Sequence, residues 1–561
     1  MIDSAPMTAE PAMPRGRALW LGPALTALVT FIAVVTTLDP ADCRPSLPQG
    51  PGVTLDETFN IQMGVFFTES LRAYGPGVLS PTSLCEIFSV PGYNPDHPPL
   101  ARLWLGLFHD LTEAIAPASD VPGDPLSPLK TVTVSARTGS GFALALTVLV
   151  TGCFTSRWYG AFAGTAAAVS LALMPRVFGH AHLAALETVT GFFWVTSVLA
   201  TAHLWTRHEA PTDLAALITG ALIGLTFLCK MQAVLLPPLL TAWAIWHWRI
   251  HALRPLVIAG LTTAVVFLVG WPWLWLDFPT NLTNYFSSAT QRTALHCWYF
   301  GTQYIDKDVP WHFPWVMSAL TIPVGLLACA TVAVKQSLRN VWSTPRESIL
   351  YGAMLAPLVL FSLPGIAVYD GVRLFLVAFP VVAVFCGVGA DQLRAWLARH
   401  IPSRQATIAI AILLAAQGVG LVQLAPYWLS YYSLAAGSLA GAERAGFEIS
   451  YWSDSISREF LTEVVRLVPP KSVIEVTPVM HPSQPREMLR QSPLLRRHGV
   501  TLIAYGSLPV HSEFLITFRR RADVLSPEEL TSKGWTERHS LHRQGVKLAT
   551  LWQRTRRPVS R

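Results

Sequence analysis

Apolar residues in this chain come in blocks of about 20, the length a helix needs to cross a hydrocarbon core roughly 30 Å thick. Hydrophobic residues make up 52% of the 561 positions and charged residues only 13%. In lipid the backbone is satisfied only by helices or closed barrels, and these blocks are too long and too uniformly apolar for the alternating strands of a barrel. The expected fold class is an all-α polytopic membrane protein with about eleven transmembrane helices and a small C-terminal α/β extramembrane part.

The first spanning block is Leu19–Thr37. A cleaved signal peptide competes for it, but the apolar segment is long for such a signal and no small-x-small site follows. The others are Thr138–Ser156, Gly160–Pro175, Glu187–Thr206, Leu214–Cys229, Met231–Trp248, Pro255–Trp275, Pro314–Ala333, Ile349–Ala367, Val372–Ala390 and Ala406–Ala425. The expected division is a cytoplasmic segment 1–18, a transmembrane domain 19–425 with a large first outer loop 38–137, and a domain 426–561 outside the membrane. Alternating crossings put Arg15, Arg17, Arg157, Arg207, Arg249, Lys335 and Arg394 on one side, in short basic connections, as the positive-inside rule requires. The opposite side receives the Asp56 loop, the His180 connection, the Trp271–Pro314 segment and the C-terminal region.

The net charge of +7 falls wholly on the part from Glu443 onward. An anionic membrane surface nearby accounts for it; no nucleic-acid-binding motif accompanies the charge, so nucleic acid is not an expected partner. In the same part, helices are expected at Ser457–Leu467, Pro485–Arg497 and Pro527–Lys533. Strands are expected at Ser472–Thr477, Thr501–Tyr505, Phe514–Phe518 and Val546–Trp552. The seven cysteines show no metal-ligand spacing. Cys43 and Cys85 flank the Asp56 segment, either as a disulfide in an oxidising compartment or as two thiols.

The longest polar interruption in the apolar part runs from Leu55 to Arg102. It opens on the acidic pair Asp56-Glu57 and closes on His97-Pro98-Pro99-Leu100, ahead of an amphipathic run to Ile115 whose polar face suits the membrane surface. A bare acidic pair is ordinarily solvated surface. Its setting here, where a spanning helix has just released the chain into water, suits a general base. Sugar transfer from a lipid phosphate needs a carboxylate to take the acceptor proton and cations to hold the departing phosphate.

These segments resemble the GT-C glycosyltransferases of glycosyltransferase family 39, the protein O-mannosyltransferase and aminoarabinose-transferase type. Its members carry an early acidic residue, often Asp-Glu, and a His-Pro-Pro-Leu segment in the first outer loop. The resemblance extends in outline over residues 19 to 425, through Arg137, His180-Ala181-His182, and Gly224-Leu225 ahead of Lys230. It implies an inverting transferase in the plasma (inner) membrane, N-terminus cytoplasmic, moving mannose or another hexose from a polyprenyl-phosphate donor. The acceptor is an unidentified hydroxyl on a protein, lipid or glycan at the outer face. Asp56 would be the general base, and Glu57 would orient a substrate hydroxyl or Asp56 itself.

Other candidates follow from charge in or beside apolar surroundings, which is expensive and usually partnered. Arg373 and Lys230 are expected to clasp the donor phosphate, with Arg137 a third candidate. His97, Arg102, Glu187, His182, Trp311 and His312 are candidate substrate contacts. Glu187 stands where related sequences often place Asp, and a helix N-terminal acid favoured by the dipole explains it equally. His180, His182 and Glu187 are residue types that bind zinc, but a spacing of two turns the histidines to different sides of a helix. No cofactor is required, since Arg and Lys suffice for one phosphate. A lipid-linked sugar flippase or other transporter is the alternative function, though the halves of the chain lack the internal symmetry of many transporters.

Overall fold

The structure is a computed structural model that describes residues 18–290, 294–507 and 512–554. The basic N-terminal segment with Arg15 and Arg17 lies outside the described residues.

The helix Thr133–Tyr159 crosses the middle of a helical assembly. Small side chains along it let its neighbours approach closely: a Cβ on Gly152 would stand 2.7 Å from Pro23 in the helix Ala18–Val35 and 2.9 Å from Ala168. The outer faces are apolar. On the helix Leu253–Gly270, Leu253, Val257, Leu261, Val265 and Val269 recur every fourth residue and are between 47% and 65% exposed. A continuous exposed stripe of that kind suits lipid rather than water, and the protein is an integral membrane protein.

Among the described residues, four helices are long and apolar enough to cross: Thr133–Tyr159, Met231–Gly270, Arg373–Leu397 and Ser403–Leu424. A fifth arises if Phe313–Thr321 and Val324–Asn340, bent by 116°, count as one. The expected set of crossings is therefore not reproduced by length and composition. Several expected spans are short helices, such as Ala161–Ala172 and Asp213–Phe227. The 40-residue stretch Met231–Gly270 breaks at Arg249, whose φ of 49° is left-handed, which separates the two spans expected there.

The polar stretch expected as a loop is mostly helical, with Leu55–Tyr74, Pro81–Phe88 and Pro99–Ile115. Each begins at a starter signal: Thr54, then Ser80-Pro81, then Pro98-Pro99. The helix Pro99–Ile115 buries Ala101, Arg102, Leu105, Gly106 and His109 and exposes Leu107, Leu111 and Ile115. It meets Leu55–Tyr74 backbone to backbone. A Cβ on Gly106 would lie 2.2 Å from the Gly64 carbonyl oxygen, and one on Gly64 would lie 2.3 Å from Arg102 O. Gly106→Val is therefore expected to force the helices apart at a cost of about 1–3 kcal/mol, read as a lower unfolding midpoint in detergent; an unchanged midpoint would show that this contact is dispensable.

In the C-terminal part five strands form one mixed sheet, in the order Thr501–Ala504, Val473–Thr477, Phe514–Phe518, Val546–Arg554, Trp535–Arg543. The first three are parallel and the last two antiparallel. Trp535–Arg543 was not expected, because Thr536, Glu537, Arg538 and His539 give this edge strand a polar run. The expected helix Pro485–Arg497 is two helices, Gln484–Arg490 and Pro493–His498. Ser492 starts the second through Leu495 N–H (3.3 Å), while the Gln491 side chain turns out to bond Thr131 O and Thr133 N–H at 2.9 and 3.0 Å. Those bonds dock the C-terminal part onto the start of the central helix. Cys43 Sγ donates to Gln491 O at the same junction (3.0 Å) and Cys85 is exposed; both are free thiols, so they form no disulfide. The aromatic segment before Phe313 contains an antiparallel hairpin, His296–Tyr299 with Thr302–Ile305, turning through Phe300 and Gly301 at φ 48° and 78°.

Candidate functional site

The two adjacent acids that open the helix Leu55–Tyr74 point to different places, because successive helical residues are rotated by about 100°. Glu57 faces inward and is wholly buried. Its Oε2 accepts from Thr54 N–H (2.9 Å) and its Oε1 from Ala184 N–H (2.7 Å). Arg137 lies against both oxygens, at 2.7 and 2.8 Å, and gives its remaining donors to Leu38 O, Pro51 O and Gly52 O at 3.1, 2.6 and 2.7 Å. These contacts correct two expectations. Arg137 has no donor left for a lipid phosphate, and Glu57 is occupied as the buried partner that fixes the start of its helix.

Asp56 turns to the opposite side, with its side chain 34% exposed, and pairs with Arg373 Nη2. Arg373 opens a 3-10 segment, Arg373–Ala378, after a turn in which Asp370 and Gly371 both adopt positive φ, 56° and 62°. That turn brings Asp370 Oδ2 to Arg373 Nη1 (3.1 Å). Arg373 Nε donates to Glu187 Oε1 (2.7 Å), and Lys230 Nζ donates to the same oxygen (2.5 Å). Among the described residues Glu187 Oε2 has no hydrogen-bond partner. Trp452, from the C-terminal part, covers the Arg373 guanidinium at 4.6 Å from its ring centroid. Asp370 is held on its other oxygen by Arg520 (2.7 Å), also from the C-terminal part.

The structure thus brings four expected residues together: Asp56, Glu187, Lys230 and Arg373. Leu100 N–H donates to Leu228 O (2.9 Å) and so lays the His-Pro-Pro-Leu segment against the strap that carries Lys230. His97 lies within the field of Lys230 and Glu187; burial first, then Arg102 and Lys230, pull its pKa down to about 3, so it is a neutral imidazole.

The other expected contacts are occupied elsewhere. Arg102 is buried and donates to Asn94 O (2.8 Å) and Asp96 Oδ1 (2.6 Å), bracing the loop around His97. His182 meets Phe178 O and Thr37 Oγ1, each at 2.8 Å. Trp311 is 67% exposed, and His312 bonds the Tyr299 hydroxyl (2.8 Å). Arg102, His182 and His312 therefore spend these groups on the frame rather than on a substrate, and among the described residues none of the four, Trp311 included, is bonded to the Asp56 cluster. Among the described residues no group of three His, Cys, Asp or Glu is arranged to hold a metal ion.

Sequence reasoning named His180 but missed the rest of the layer behind Arg373. Arg176 is fully buried, donates through Nε to Tyr431 O (3.0 Å), and lies over the rings of Tyr432 and Tyr451 at 5.0 and 5.5 Å. His180 Nε2 meets the Tyr451 hydroxyl (3.1 Å). Asp454, also buried, accepts from the Ser450 hydroxyl through one oxygen (3.3 Å), and among the described residues its other oxygen has no partner. His180 stood in the His180-Ala181-His182 segment, but no motif marks Arg176, Tyr451 or Asp454; a cation flanked by apolar positions, as Arg176 is by Pro175 and Val177, was the available signal.

Burial pushes Asp454 up to about 7. A carboxyl whose pKa is raised on folding binds more protons in the folded state, so its contribution to stability is present at low pH and lost as pH rises through about 7. Asp454→Asn is therefore expected to raise the unfolding midpoint by about 2–4 K at pH 8, with little gain at pH 4. An equal gain at both pH values would refute the titration.

An apolar cavity of about 300 Å³ begins one residue beyond Lys230, lined by Met231, Ile223, Phe227, Leu240, Phe267 and Phe286 among others.

Residues 130–275 match the family described as dolichyl-phosphate-mannose-protein mannosyltransferase. Glu187 and Lys230 fall inside the matched segment; Asp56 and Arg373 lie outside it. Among solved structures, ArnT from Cupriavidus metallidurans bound to undecaprenyl phosphate is 14% identical, with 96% of this chain and 98% of that one covered and a TM-score of 0.49. The same protein in the apo state gives 14% identity, coverage of 95% and 97%, and a TM-score of 0.48. The oligosaccharyltransferase of Archaeoglobus fulgidus tethered with an acceptor peptide is 11% identical, with 97% and 75% covered and a TM-score of 0.46. No curated protein sequence matches. The segment 130–275 is thus similar to the dolichyl-phosphate-mannose-protein mannosyltransferases, one of the kinds that the Asp-Glu and His-Pro-Pro-Leu segments resemble.

Proposed function

We propose that the protein is an inverting glycosyltransferase that moves a sugar, mannose or another hexose, from a polyprenyl-phosphate donor to a hydroxyl of a protein, lipid or glycan. The observation that carries this reading is one cluster: a partly exposed carboxylate, Asp56, bonded to Arg373, which shares Glu187 with Lys230. The apolar cavity beside Met231 is suited to the first isoprene units of such a donor.

The donor phosphodiester carries one negative charge and the departing phosphate monoester two. Arg373 and Lys230 are placed to stabilise the charge that develops. In the structure Arg373 is divided among Asp56, Glu187 and Asp370. A phosphate oxygen arriving at Arg373 takes the place of Asp56, which is then free to accept the acceptor's proton. The acceptor oxygen bonds to the anomeric carbon, the bond from that carbon to the phosphate oxygen breaks, and polyprenyl phosphate leaves with the electron pair. Glu187 and Asp370 hold Arg373 in place throughout. Two cations match a single developing charge, so this reading routes no step through a metal.

The same reading places the protein in the plasma (inner) membrane, its N-terminus cytoplasmic. Short and broken helices would complete the crossings of residues 19–425 to about eleven, with residues 426–561 on the outer side. Arg373→Met in a lipid nanodisc is expected to weaken binding of polyprenyl-phosphate mannose by about 10–100-fold, the worth of hydrogen bonds to a charged group. Donor affinity equal to wild type would sink the phosphate-binding role of Arg373.

A further inference from the structure

A second cavity, of about 370 Å³, lies on the C-terminal sheet, outside the Asp56 cluster. Its volume is within the range of about 300–1,000 Å³ usual for small-molecule sites. The wall is one sheet face, where Thr517 pairs with Thr550 and their side chains share a side. Trp552 Nε1 donates to Thr517 Oγ1 there (2.9 Å). Trp298, from the hairpin, and the segment around Ser526 complete the lining.

Its charges are unevenly satisfied. Arg519 pairs with Glu443 (2.8 Å) and Lys547 with Glu537 (2.5 Å). Arg521 lies over the Trp298 ring, 5.6 Å from its centroid, and among the described residues it has no carboxylate at ion-pair distance. A guanidinium stacked on an indole, with its donors unspent, is suited to a planar or multi-oxygen anion. Thr517, Ser526 and Glu528 around it offer the hydroxyls and carboxylate that bond sugar hydroxyls. Arg520, between the two cavity arginines, points away from them and bonds Asp370, which holds Arg373. The cavity therefore backs onto the Asp56 cluster through one tripeptide.

We infer that this cavity binds an acidic saccharide, a uronate or a sugar phosphate, with its anion on Arg521, as a recognition element of the acceptor. The inference rests on the transferase reading for its role, but the binding itself is tested separately. The full chain in nanodiscs is titrated calorimetrically with trigalacturonic acid, glucose 6-phosphate and neutral maltotriose. At least one acidic probe is expected to bind about tenfold or more tighter than maltotriose; which one binds separates uronate from phosphate as the source of the anion. Arg521→Ala is expected to lose about tenfold, Arg521→Lys less. Rising salt is expected to weaken the wild-type interaction, a test that needs no variant. Equal binding of maltotriose, full binding by Arg521→Ala, or no acidic probe binding at about 10 mM would each overturn the inference. Asp56→Asn is expected to keep this binding, so loss of transfer with the saccharide still bound distinguishes failure of the site from failure of the cavity.

Discussion

Asp56→Asn is expected to lower the rate of sugar transfer by about 10²–10⁴, the usual contribution of a positioned general base. The fold should survive, since Asp56 is on the rim with its side chain 34% exposed, and asparagine still offers Arg373 an oxygen. The amide cannot take a proton from an attacking alcohol, so the loss should fall on kcat and leave donor affinity largely unchanged. Single-turnover transfer from a panel of polyprenyl-phosphate sugars reads both quantities. A variant with wild-type turnover would remove Asp56 from the chemistry and the transferase mechanism with it.

One residue further on, the expected outcome is of another kind. Glu57→Ala strands a fully buried arginine, Arg137, among the carbonyls of Leu38, Pro51 and Gly52. Removing one member of a buried ion pair costs about 3–5 kcal/mol, because the remaining charge is left uncompensated. The variant should therefore fail in folded yield and unfolding midpoint, and Arg137→Leu should fail similarly because Glu57 is then buried alone. The double change Glu57→Gln with Arg137→Met should recover part of the loss, since neither side is then charged. If Glu57→Ala kept the wild-type midpoint and lost only turnover, Glu57 would belong to the reaction rather than to the frame.

These opposite outcomes for neighbouring acids mark the limit of what the chain reveals unfolded. Lys230 and Arg373 stood out because a cation beside an apolar segment is costly without a partner, and the structure supplies that partner in Glu187 for both. Asp56 and Glu57 could not be told apart, because composition carries no information about which side of a helix faces Arg137. Arg520 and Trp452 were unreadable for a related reason. They lie far along the chain from Arg373, and only the docking of the C-terminal part through Gln491 and Thr131–Thr133 brings them near it. In the sheet, Phe514–Phe518 was legible at both ends because it is buried throughout. The polar edge strand Trp535–Arg543 was hidden by the same chemistry that keeps sheet edges from pairing with other chains.

The backbone contact between Gly64 and Gly106 locks one side of the site. With those two helices interlocked, and Leu100 tied to Leu228, the ground under Asp56, His97 and Lys230 behaves as a fixed anvil. Arg373 stands on the opposing jaw, on a short 3-10 turn clamped from above by Trp452 and, through Asp370, by Arg520. Under the transferase reading neither side has to move to take up a lipid headgroup: a change of partner at Arg373, phosphate for Asp56, is enough.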